Sequence, residues 1–305
     1  MKKVLVLGAQ GNLGSQIILA LDKSSYEVIA WDQDDLDLSD LKSIVDKVSK
    51  LKVDIIINTS AYNSVDLCEE SEKEFILAKK INGQALRYLS QAALENNSIL
   101  IHYSTDYVFG GDLIQFDIHL SEGFLRLQEQ GGFTEDSSPY PINNYGYSKR
   151  LGEIEIQRLA KKGLKYYIIR TSKLFGPPGT FAKAKESFFD LMLRLAQDRE
   201  EVQVVNEELS CFTYTPDLAQ ESIRLLESQQ DFGIYHIVNS GPAIWYDAAR
   251  ELFRLKEVNT RIKPVSAEMF PRPAKRPKYS VLANTKLPDL RPWNEALAQY
   301  LKEYK

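Results

Sequence analysis

Tyr145 and Lys149 are the residues of this sequence best suited to moving a proton. Their spacing of four places both side chains on one face of a helix. A free phenol ionises near pH 10 and is a weak acid at neutral pH. An ammonium group beside it favours the phenolate and lowers its pKa. The pair therefore predicts a general acid that protonates an oxygen as charge develops on it, although Tyr-x-x-x-Lys also occurs by chance on surface helices.

A hydroxyl-bearing segment, His-Tyr-Ser-Thr-Asp-Tyr-Val-Phe-Gly, occupies residues 102–110 and begins at the end of a predicted strand. Open α/β sheets bind ligands at the carboxyl ends of their strands. Thr105 stands where its hydroxyl can hydrogen-bond a carbonyl oxygen as charge develops. The alternative is a serine/threonine turn with core aromatics. We interpret His102 as a core residue and not as a base.

A glycine-rich turn near the N-terminus lies between a strand and a helix. Gly8, Gly11 and Gly14 follow the apolar run at 4–7 and open a helix predicted at 13–21. Glycines in this context let the backbone turn tightly and approach a pyrophosphate, at which helix N–H groups point. The motif predicts a dinucleotide site, with a plain glycine-rich turn as the alternative.

The acidic end of the second predicted strand bears on which dinucleotide is bound. Asp32 follows the strand at 27–31, where an acid commonly holds the hydroxyls of the adenosine ribose. Three more aspartates follow within five residues, so a solvated acidic loop is the alternative. No lysine or arginine occurs between Lys23 and Lys42, and a 2′-phosphate would meet repulsion from like charge. We predict that NAD(H) is favoured, with NADP(H) also possible.

Strands and helices must alternate to position these motifs. The alternation predicts an α/β fold with a doubly wound parallel sheet. We assign residues 1–172 to an NAD(P)-binding domain whose sheet is completed by segments around 213–239. Residues 173–212 and 240–305 form a smaller C-terminal substrate lobe. The strands are predicted at 4–7, 27–31, 53–58, 98–102, 165–170 and 235–239, and the helices at 13–21, 41–51, 73–95, 145–162, 187–197 and 215–227.

Two local features refine this division. The pattern is interrupted between Gly110 and Pro141, where residues 112–130 are interpreted as an inserted loop or short helix. Thr215 followed by Pro216 predicts a threonine cap with proline in the first helical position.

Composition excludes several classes of protein. The 305 residues carry a net charge of −4 and only one short basic stretch, which argues against nucleic acid as a partner. The two cysteines and three histidines show no zinc spacing, so we predict neither a metal nor a disulfide scaffold. No apolar run is long enough to span a bilayer. We expect a cytoplasmic monomer or homodimer with no membrane partner.

These motifs lie in the order of a short-chain reductase, and the sequence resembles the dTDP-4-dehydrorhamnose reductase family of extended short-chain dehydrogenases. The resemblance covers nearly the whole chain, and several of its segments are specific to the sugar reductases. Those segments are residues 58–62, 65–66, 102–110, 141–149, 170–172, 192–196, 213–219, 233–236 and 272–277.

The resemblance implies a Rossmann-type cofactor domain and the NAD(P)H-dependent reduction of a 4-keto group. The substrate would be a nucleotide-activated 6-deoxyhexose used for cell-surface polysaccharide precursors. Tyr145 would protonate the emerging alkoxide, Thr105 would steady the same oxygen, and Lys149 would bond the nicotinamide ribose and tune Tyr145.

The resemblance also implies which residues bind each ligand. Arg272 and Arg276 would grip the diphosphate, since guanidinium groups bind phosphate in bidentate fashion. The cofactor-binding residues would be Gly8, Gln10, Gly11, Asn12, Leu13, Gly14, Asp32, Asp37, Leu38, Ser60, Ala61, Tyr62, Tyr145 and Lys149. The substrate-binding residues would be Ser104, Thr105, Asp106, Tyr107, Lys173, Arg272 and Arg276.

The sequence departs from the family pattern in four places, one of which is the replacement of the family's Gly and Pro before Thr213 by Ser210 and Phe212. Lys173 replaces a tryptophan that usually lies near the sugar, and the segment between Phe109 and Pro139 is longer than usual. Gln16 replaces the glutamate through which some members bind magnesium, in keeping with the prediction of no metal. These changes leave the reaction type intact and the identity of the sugar open.

Other functions remain open from the sequence. A sugar-nucleotide 4,6-dehydratase would need a carboxylate where this chain has Tyr107. Another reductase or epimerase of the same superfamily is a second alternative. The third is a non-catalytic, dinucleotide-binding regulatory subunit like that of methionine adenosyltransferase, against which the complete set of Thr105, Tyr145 and Lys149 argues.

Overall fold

A computed structural model describes residues 1–110, 131–180, 186–228 and 230–304. The insertion predicted at 112–130 lies outside the described residues. The strands of the central sheet are β1 (Lys2–Leu7), β2 (Tyr26–Trp31), β3 (Ile55–Asn58), β4 (Ile99–Thr105), β5 (Lys165–Thr171) and β9 (Gly233–His236).

The central sheet is parallel throughout, with strand order β2-β1-β3-β4-β5-β9. The chain begins at β1, moves outward to β2 and then crosses to β3. The order therefore reverses between β1 and β3, and ligands of such sheets bind at the carboxyl edge of that reversal. The predicted doubly wound parallel sheet is confirmed.

Helices cover both faces of this sheet and continue into the C-terminal part of the chain. They are α1 (Asn12–Ala20), α2 (Leu41–Leu51), α3 (Leu67–Glu70), α4 (Glu72–Ala78), α5 (Ala85–Asn96), α6 (Asn144–Ala160), α7 (Phe188–Gln197), α8 (Thr215–Glu227), α9 (Trp245–Leu255) and α10 (Trp293–Tyr304). A π-helix, Lys79–Gln84, separates α4 from α5, so the single helix predicted at 73–95 is three segments. None of the described helices is both long and apolar enough to cross a membrane.

Alternate residues of each strand feed two separate cores. Val4 and Val6 pack with α1 and α8 on one face, whereas Leu5 and Leu7 pack with α2, α5 and α6 on the other. Side chains of a strand alternate between its faces, so a strand buried on both sides is apolar without interruption. That is why short apolar runs predicted these strands.

The C-terminal part of the chain contributes three short parallel strand pairs. They join β6 (Leu174–Phe175) to β8 (Thr213–Tyr214), β7 (Glu201–Val205) to β11 (Arg261–Val265), and β10 (Asn239–Ser240) to β12 (Leu290–Pro292). A third apolar core lies among them and is rich in aromatic rings, including Phe175, Phe189, Phe212, Tyr214, Trp293 and Tyr300.

Two local predictions were wrong. The strand predicted at 235–239 is two strands, because Asn239 pairs with Leu290 of β12 and its side chain donates to the Arg291 carbonyl oxygen at 3.1 Å. Thr215 is the first residue of α8 and not its cap; Tyr214 precedes the helix and makes no side-chain cap.

Candidate active site

The turn between β1 and α1 brings backbone N–H groups to the carboxyl edge of the sheet. Gly8 has a φ of +76°, in the left-handed region that favours glycine. A Cβ on Gly14 would lie 2.0 Å from the Gly8 carbonyl oxygen, so only glycine lets the helix approach the turn. No side chain caps the first turn of α1. A helix start of this kind is an anion site, and the turn fits a dinucleotide pyrophosphate.

Other residues predicted to bind the cofactor surround this turn. The Asn12 side chain accepts a hydrogen bond from the Gly179 backbone N–H at 3.0 Å, so the segment after β6 lies directly on the glycine turn. Leu13, in the first turn of α1, is buried in the core. Gln10 donates its backbone N–H to the Asp32 carboxylate at 2.8 Å.

Asp32 lies at the end of β2, against the glycine turn. Its second oxygen accepts from the Gln33 backbone N–H at 3.0 Å. Carboxylate oxygens have further lone pairs, so ribose hydroxyls can still be accepted. Asp37 is exposed and Leu38 is buried in the core. Lys47 brings a cation to this loop, where its Nζ donates to the Asp35 carbonyl oxygen at 2.7 Å.

The segment after β3 is tied to the neighbouring helices by one asparagine of the π-helix. Asn82 accepts from the Tyr62 backbone N–H at 2.8 Å and donates to the Tyr62 carbonyl oxygen at 3.0 Å. It also donates to the Ser148 hydroxyl of α6 at 2.9 Å. Ser60 and Ala61, which precede Tyr62, are thereby held at the sheet edge between the glycine turn and α6.

Helix α6 presents Tyr145 and Lys149 to the carboxyl end of β4. The Asn143 side chain caps the helix by accepting from the Gly146 backbone N–H at 2.8 Å. A Cβ on Gly146 would lie 2.1 Å from the Tyr107 carbonyl oxygen, so this glycine lets the helix touch the turn that follows β4. The contact brings the Tyr145 hydroxyl close to the Thr105 side chain, and the same hydroxyl donates to the Asn63 side-chain oxygen at 3.5 Å.

Lys149 lies one turn further along α6. Its Nζ donates to the Tyr103 carbonyl oxygen at 2.6 Å and lies 3.5 Å from His102 Nε2. Burial lowers the pKa of Lys149 to about 8, and the nearby Glu153 carboxylate partly opposes this shift. The lysine therefore titrates close to neutral pH.

The pKa of Tyr145 differs from the sequence-based expectation. Burial raises the pKa of Tyr145 above its usual range, the charge of Asp106 raises it further, and the nearby Thr105 hydroxyl lowers it. The predicted decrease of the Tyr145 pKa is wrong, because the free-energy cost of burying a phenolate outweighs its stabilisation by neighbouring groups. Tyr145 is a phenol at neutral pH.

Three further residues at the end of β4 were predicted to bind the substrate, namely Ser104, Asp106 and Tyr107. Asp106 is buried, accepts from Ser280 at 2.6 Å and from the Thr105 hydroxyl at 3.1 Å, and burial raises its pKa. The Tyr107 ring meets the Tyr145 ring edge-on, with centroids 5.9 Å apart. Ser104 faces Glu153, on the other side of the strand from Thr105.

Lys173 occupies the turn between β5 and β6. Its φ of +37° is unusual for a residue with a side chain. Its Nζ donates to the Glu208 carbonyl oxygen at 3.0 Å and lies 3.8 Å from the centroid of the Trp245 ring. Burial lowers the pKa of Lys173 to about 8. A cation thus lies within the aromatic C-terminal part of the molecule.

Each predicted diphosphate-binding arginine is paired with a carboxylate. Arg276 donates to both oxygens of Asp66, at 2.9 and 2.7 Å. Arg272 pairs with Glu208, which also accepts from the Trp245 ring N–H at 2.8 Å. Burial raises the pKa of Tyr107, both arginines lie near enough for their charges to lower it, and each arginine is paired with a carboxylate.

Several site residues were missed by the sequence reasoning. Glu153 and Arg170 form a buried bidentate ion pair beneath α6, at 2.9 and 2.8 Å. Asn58 and Asn82 hold their neighbours through side-chain amides, and Glu208 anchors the Arg272 pair. The one available signal was the polar Asn58 at the end of the apolar run of β3.

Comparison with known proteins gives consistent results over the full length. The family model of the RmlD substrate binding domain matches residues 1–305. The spore coat polysaccharide biosynthesis protein SpsK of Bacillus subtilis is 36% identical over 99% of this chain and 98% of its own. The dTDP-4-dehydrorhamnose reductase of Aggregatibacter actinomycetemcomitans is 32% identical over 94% of this chain and 92% of its own. The crystal structure of dTDP-4-dehydrorhamnose reductase from Bacillus anthracis in complex with NADP has a TM-score of 0.85 and 32% identity, covering 99% of both chains.

Proposed function

The chain belongs to the dTDP-4-dehydrorhamnose reductase family, and from this membership we propose that it reduces the 4-keto group of a nucleotide-activated 6-deoxyhexose. The observation that carries the proposal is the meeting of Tyr145 and Thr105 at the carboxyl end of β4, with Lys149 one turn away. The glycine turn that fits a pyrophosphate lies two strands away in the same sheet edge. Polysaccharide synthesis is the setting that the similarity to SpsK supports.

A nicotinamide dinucleotide supplies the hydride for this reaction. The protein's part is to deliver a proton to the sugar oxygen and to hold that oxygen in place. Tyr145 suits this role because burial keeps it as a phenol. An alkoxide is a far stronger base than a phenolate, so a phenol with a raised pKa still transfers its proton to it.

Thr105 and Lys149 assist Tyr145 in different ways. Thr105 lies close to the phenolic oxygen and beside the proposed position of the sugar oxygen. Lys149 orients the nicotinamide ribose and stabilises the tyrosine as it becomes a phenolate. Its pKa of about 8 lets it carry a proton at neutral pH and release it readily.

The binding roles follow from the same arrangement. Residues 1–172, with the segment around 213–239, hold the dinucleotide, and residues 173–212 and 240–305 hold the sugar nucleotide. Arg272 and Arg276 bind the diphosphate by exchanging their carboxylate partners for phosphate oxygens. Lys173 lies near the sugar, and the charge of Asp32 favours NADH over NADPH.

The test is a substrate panel with purified protein. We expect oxidation of NADH or NADPH, followed by absorbance, with at least one 4-keto-6-deoxy sugar nucleotide, and a product that carries a hydroxyl at C4. Binding of the cofactor without its oxidation across the whole panel would reject the reductase and favour the regulatory alternative.

A further inference from the structure

His102 is a buried histidine that connects two parts of the site. It is fully inaccessible and lies in β4 between Asn58 of β3 and Lys149 of α6. Its Nδ1 is 3.1 Å from the Asn58 side-chain nitrogen, and its Nε2 is 3.5 Å from Lys149 Nζ, at the outer limit of a hydrogen bond. The ring therefore spans the space between the cofactor-side strand and the candidate catalytic lysine.

The proton on this ring can be placed by following the hydrogen bonds. The Ser60 backbone N–H can only donate, and it points to the Asn58 side chain at 3.2 Å, so the atom facing it is the carbonyl Oδ1. The other end of the amide is then the NH₂ group, which donates to His102 Nδ1. A nitrogen that accepts carries no proton, so the neutral imidazole bears its hydrogen on Nε2.

The second proton of an imidazolium would have to sit on Nδ1, where it would face the amide NH₂ of Asn58. Burial, followed by the charge of Lys149, lowers the pKa of His102 well below its usual range. Both observations indicate a neutral ring. Its single N–H points from Nε2 toward Lys149.

An N–H directed at an amine nitrogen favours the neutral amine over the ammonium. Lys149 as a neutral amine can accept from His102 and still donate to the Tyr103 carbonyl oxygen. Among the described charged groups, Glu153 opposes this effect, and its own charge is shared with Arg170 in the buried ion pair. Tyr145, one turn earlier on the same helix, is uncharged at neutral pH.

We propose that His102 is a positioning residue that directs its Nε2–H at Lys149 and thereby sets how readily this lysine gives up its proton during turnover. The inference rests on the proposed function, because it assigns His102 a role in that reaction. Asn58 contributes to this role, since its amide determines which ring nitrogen of His102 carries the proton. Without it the ring could present an acceptor to the lysine, which would favour the ammonium.

The tautomer is measured directly by NMR of the full chain labelled with ¹⁵N-histidine. His236 is an internal control, because its Nδ1 faces the Ala283 carbonyl oxygen at 2.9 Å and must carry the proton. We expect opposite tautomers near neutral pH, Nε2–H at His102 and Nδ1–H at His236, with signals assigned by their loss in His102→Gln and His236→Gln. A protonated Nδ1 at His102, in either the neutral ring or the imidazolium, would overturn the proposal.

The effect on Lys149 is measured by the pH dependence of two quantities. Turnover and the fluorescence-detected affinity for NADH should both fall as Lys149 loses its proton, near pH 8. In His102→Leu the pH at which both quantities fall should move up by about one unit, a typical shift for a protein group. His102→Gln should keep it, because a glutamine can accept from Asn58 and donate to Lys149, and His236→Gln should not move it.

The proposal would be overturned if the pH of this fall stayed the same in His102→Leu, or if it moved equally in both His102 variants. A purely structural role would lower rate or stability without this difference between leucine and glutamine. If His102→Leu does not fold, the tautomer and the glutamine variant still decide. A wild-type protein that binds NADH but reduces no sugar would reject the proposed function alone, since the NMR and binding measurements need no turnover.

Discussion

Partial or full burial lowers the pKa of both Lys149 and Lys173 to about 8, yet different parts of the sequence hold the two side chains in place. Lys149 stands on α6, four residues after Tyr145, and bonds a backbone carbonyl of the adjacent strand. Lys173 lies in a turn and depends on Glu208 and Trp245, both far along the chain. The placement of Lys149 beside Tyr145 thus follows from spacing within one helix, whereas Lys173 meets its partners only through contacts between separate segments.

The two arginines proposed to bind the diphosphate also differ from Lys149 and Asp32 in what they bond. On the catalytic edge, Lys149 and Asp32 bond backbone groups, which cannot move without the strand or turn that carries them. On the substrate side, Asp66 bonds Arg276 and Glu208 bonds Arg272, so flexible side chains bond one another. Variants of the first region should therefore affect the chemical step and cofactor binding, and variants of the second should affect substrate binding and stability.

The largest effect is expected from Tyr145→Phe. Loss of the phenolic hydroxyl removes the general acid and should lower kcat by about 10²–10⁴-fold, while cofactor affinity stays nearly unchanged. The measurement is steady-state kinetics together with a fluorescence titration of NADH. Tyr147→Phe is the matched control, because Tyr147 lies on the same helix and is 47% exposed. If Tyr145→Phe retained more than half of the wild-type rate, the acid would have to be sought elsewhere.

The second-largest effect is expected at the ion pair of Asp66 and Arg276. Variants of this pair distinguish an arginine that binds phosphate from one that only links two segments. If Arg276 binds the diphosphate, Arg276→Ala should raise KM by about 10–100-fold, the usual contribution of hydrogen bonds to a charged group. Asp66→Asn should leave KM unchanged or lower it, because the guanidinium is released, and it should lower the free energy of unfolding.

The control for this pair is Arg254→Ala, which removes the exposed ion pair with Glu251. Exposed pairs contribute little to stability, so neither KM nor unfolding should change much. Equal increases of KM in Asp66→Asn and Arg276→Ala would mean that the pair is a structural link between segments and that the arginine is no phosphate ligand.

A smaller effect is expected at Lys173, on the pH dependence of the free energy of unfolding. Its pKa in the folded protein, about 8, is below the ordinary value of 10.5. Between these values the unfolded chain binds more protons, so the folded state gains stability as pH rises. In urea unfolding, the wild type should gain stability relative to Lys173→Met from about pH 8 to 10.5. A constant difference between the two proteins would show that neighbouring carboxylates fully compensate the buried ammonium.

The same contrast between local and distant contacts explains what could be predicted from the sequence. The sheet, the glycine turn and the helix bearing Tyr145 follow from apolar periodicity and glycine spacing within short segments. The partners of Arg272, Arg276 and Lys173 could not be predicted, because ion pairs between distant segments leave no spacing in the sequence. The raised pKa of Tyr145 was missed for a related reason, since burial depends on the whole fold.

The smallest effect is expected at Asp32 and concerns the choice between NADH and NADPH. Its carboxylate lies against the glycine turn through Gln10, where a 2′-phosphate would approach a negative charge. Repulsion on the order of 1 kcal/mol in a partly solvated site corresponds to about fivefold to tenfold preference for NADH in kcat/KM at low salt. Asp32→Asn keeps an acceptor for the Gln10 backbone N–H and removes the charge, so the ratio should move toward NADPH. Asp34→Asn is the control, because Asp34 is exposed on the same loop. A wild-type preference for NADPH that Asp32→Asn does not change would mean that Lys47, the cation bonded to this loop, outweighs the carboxylate.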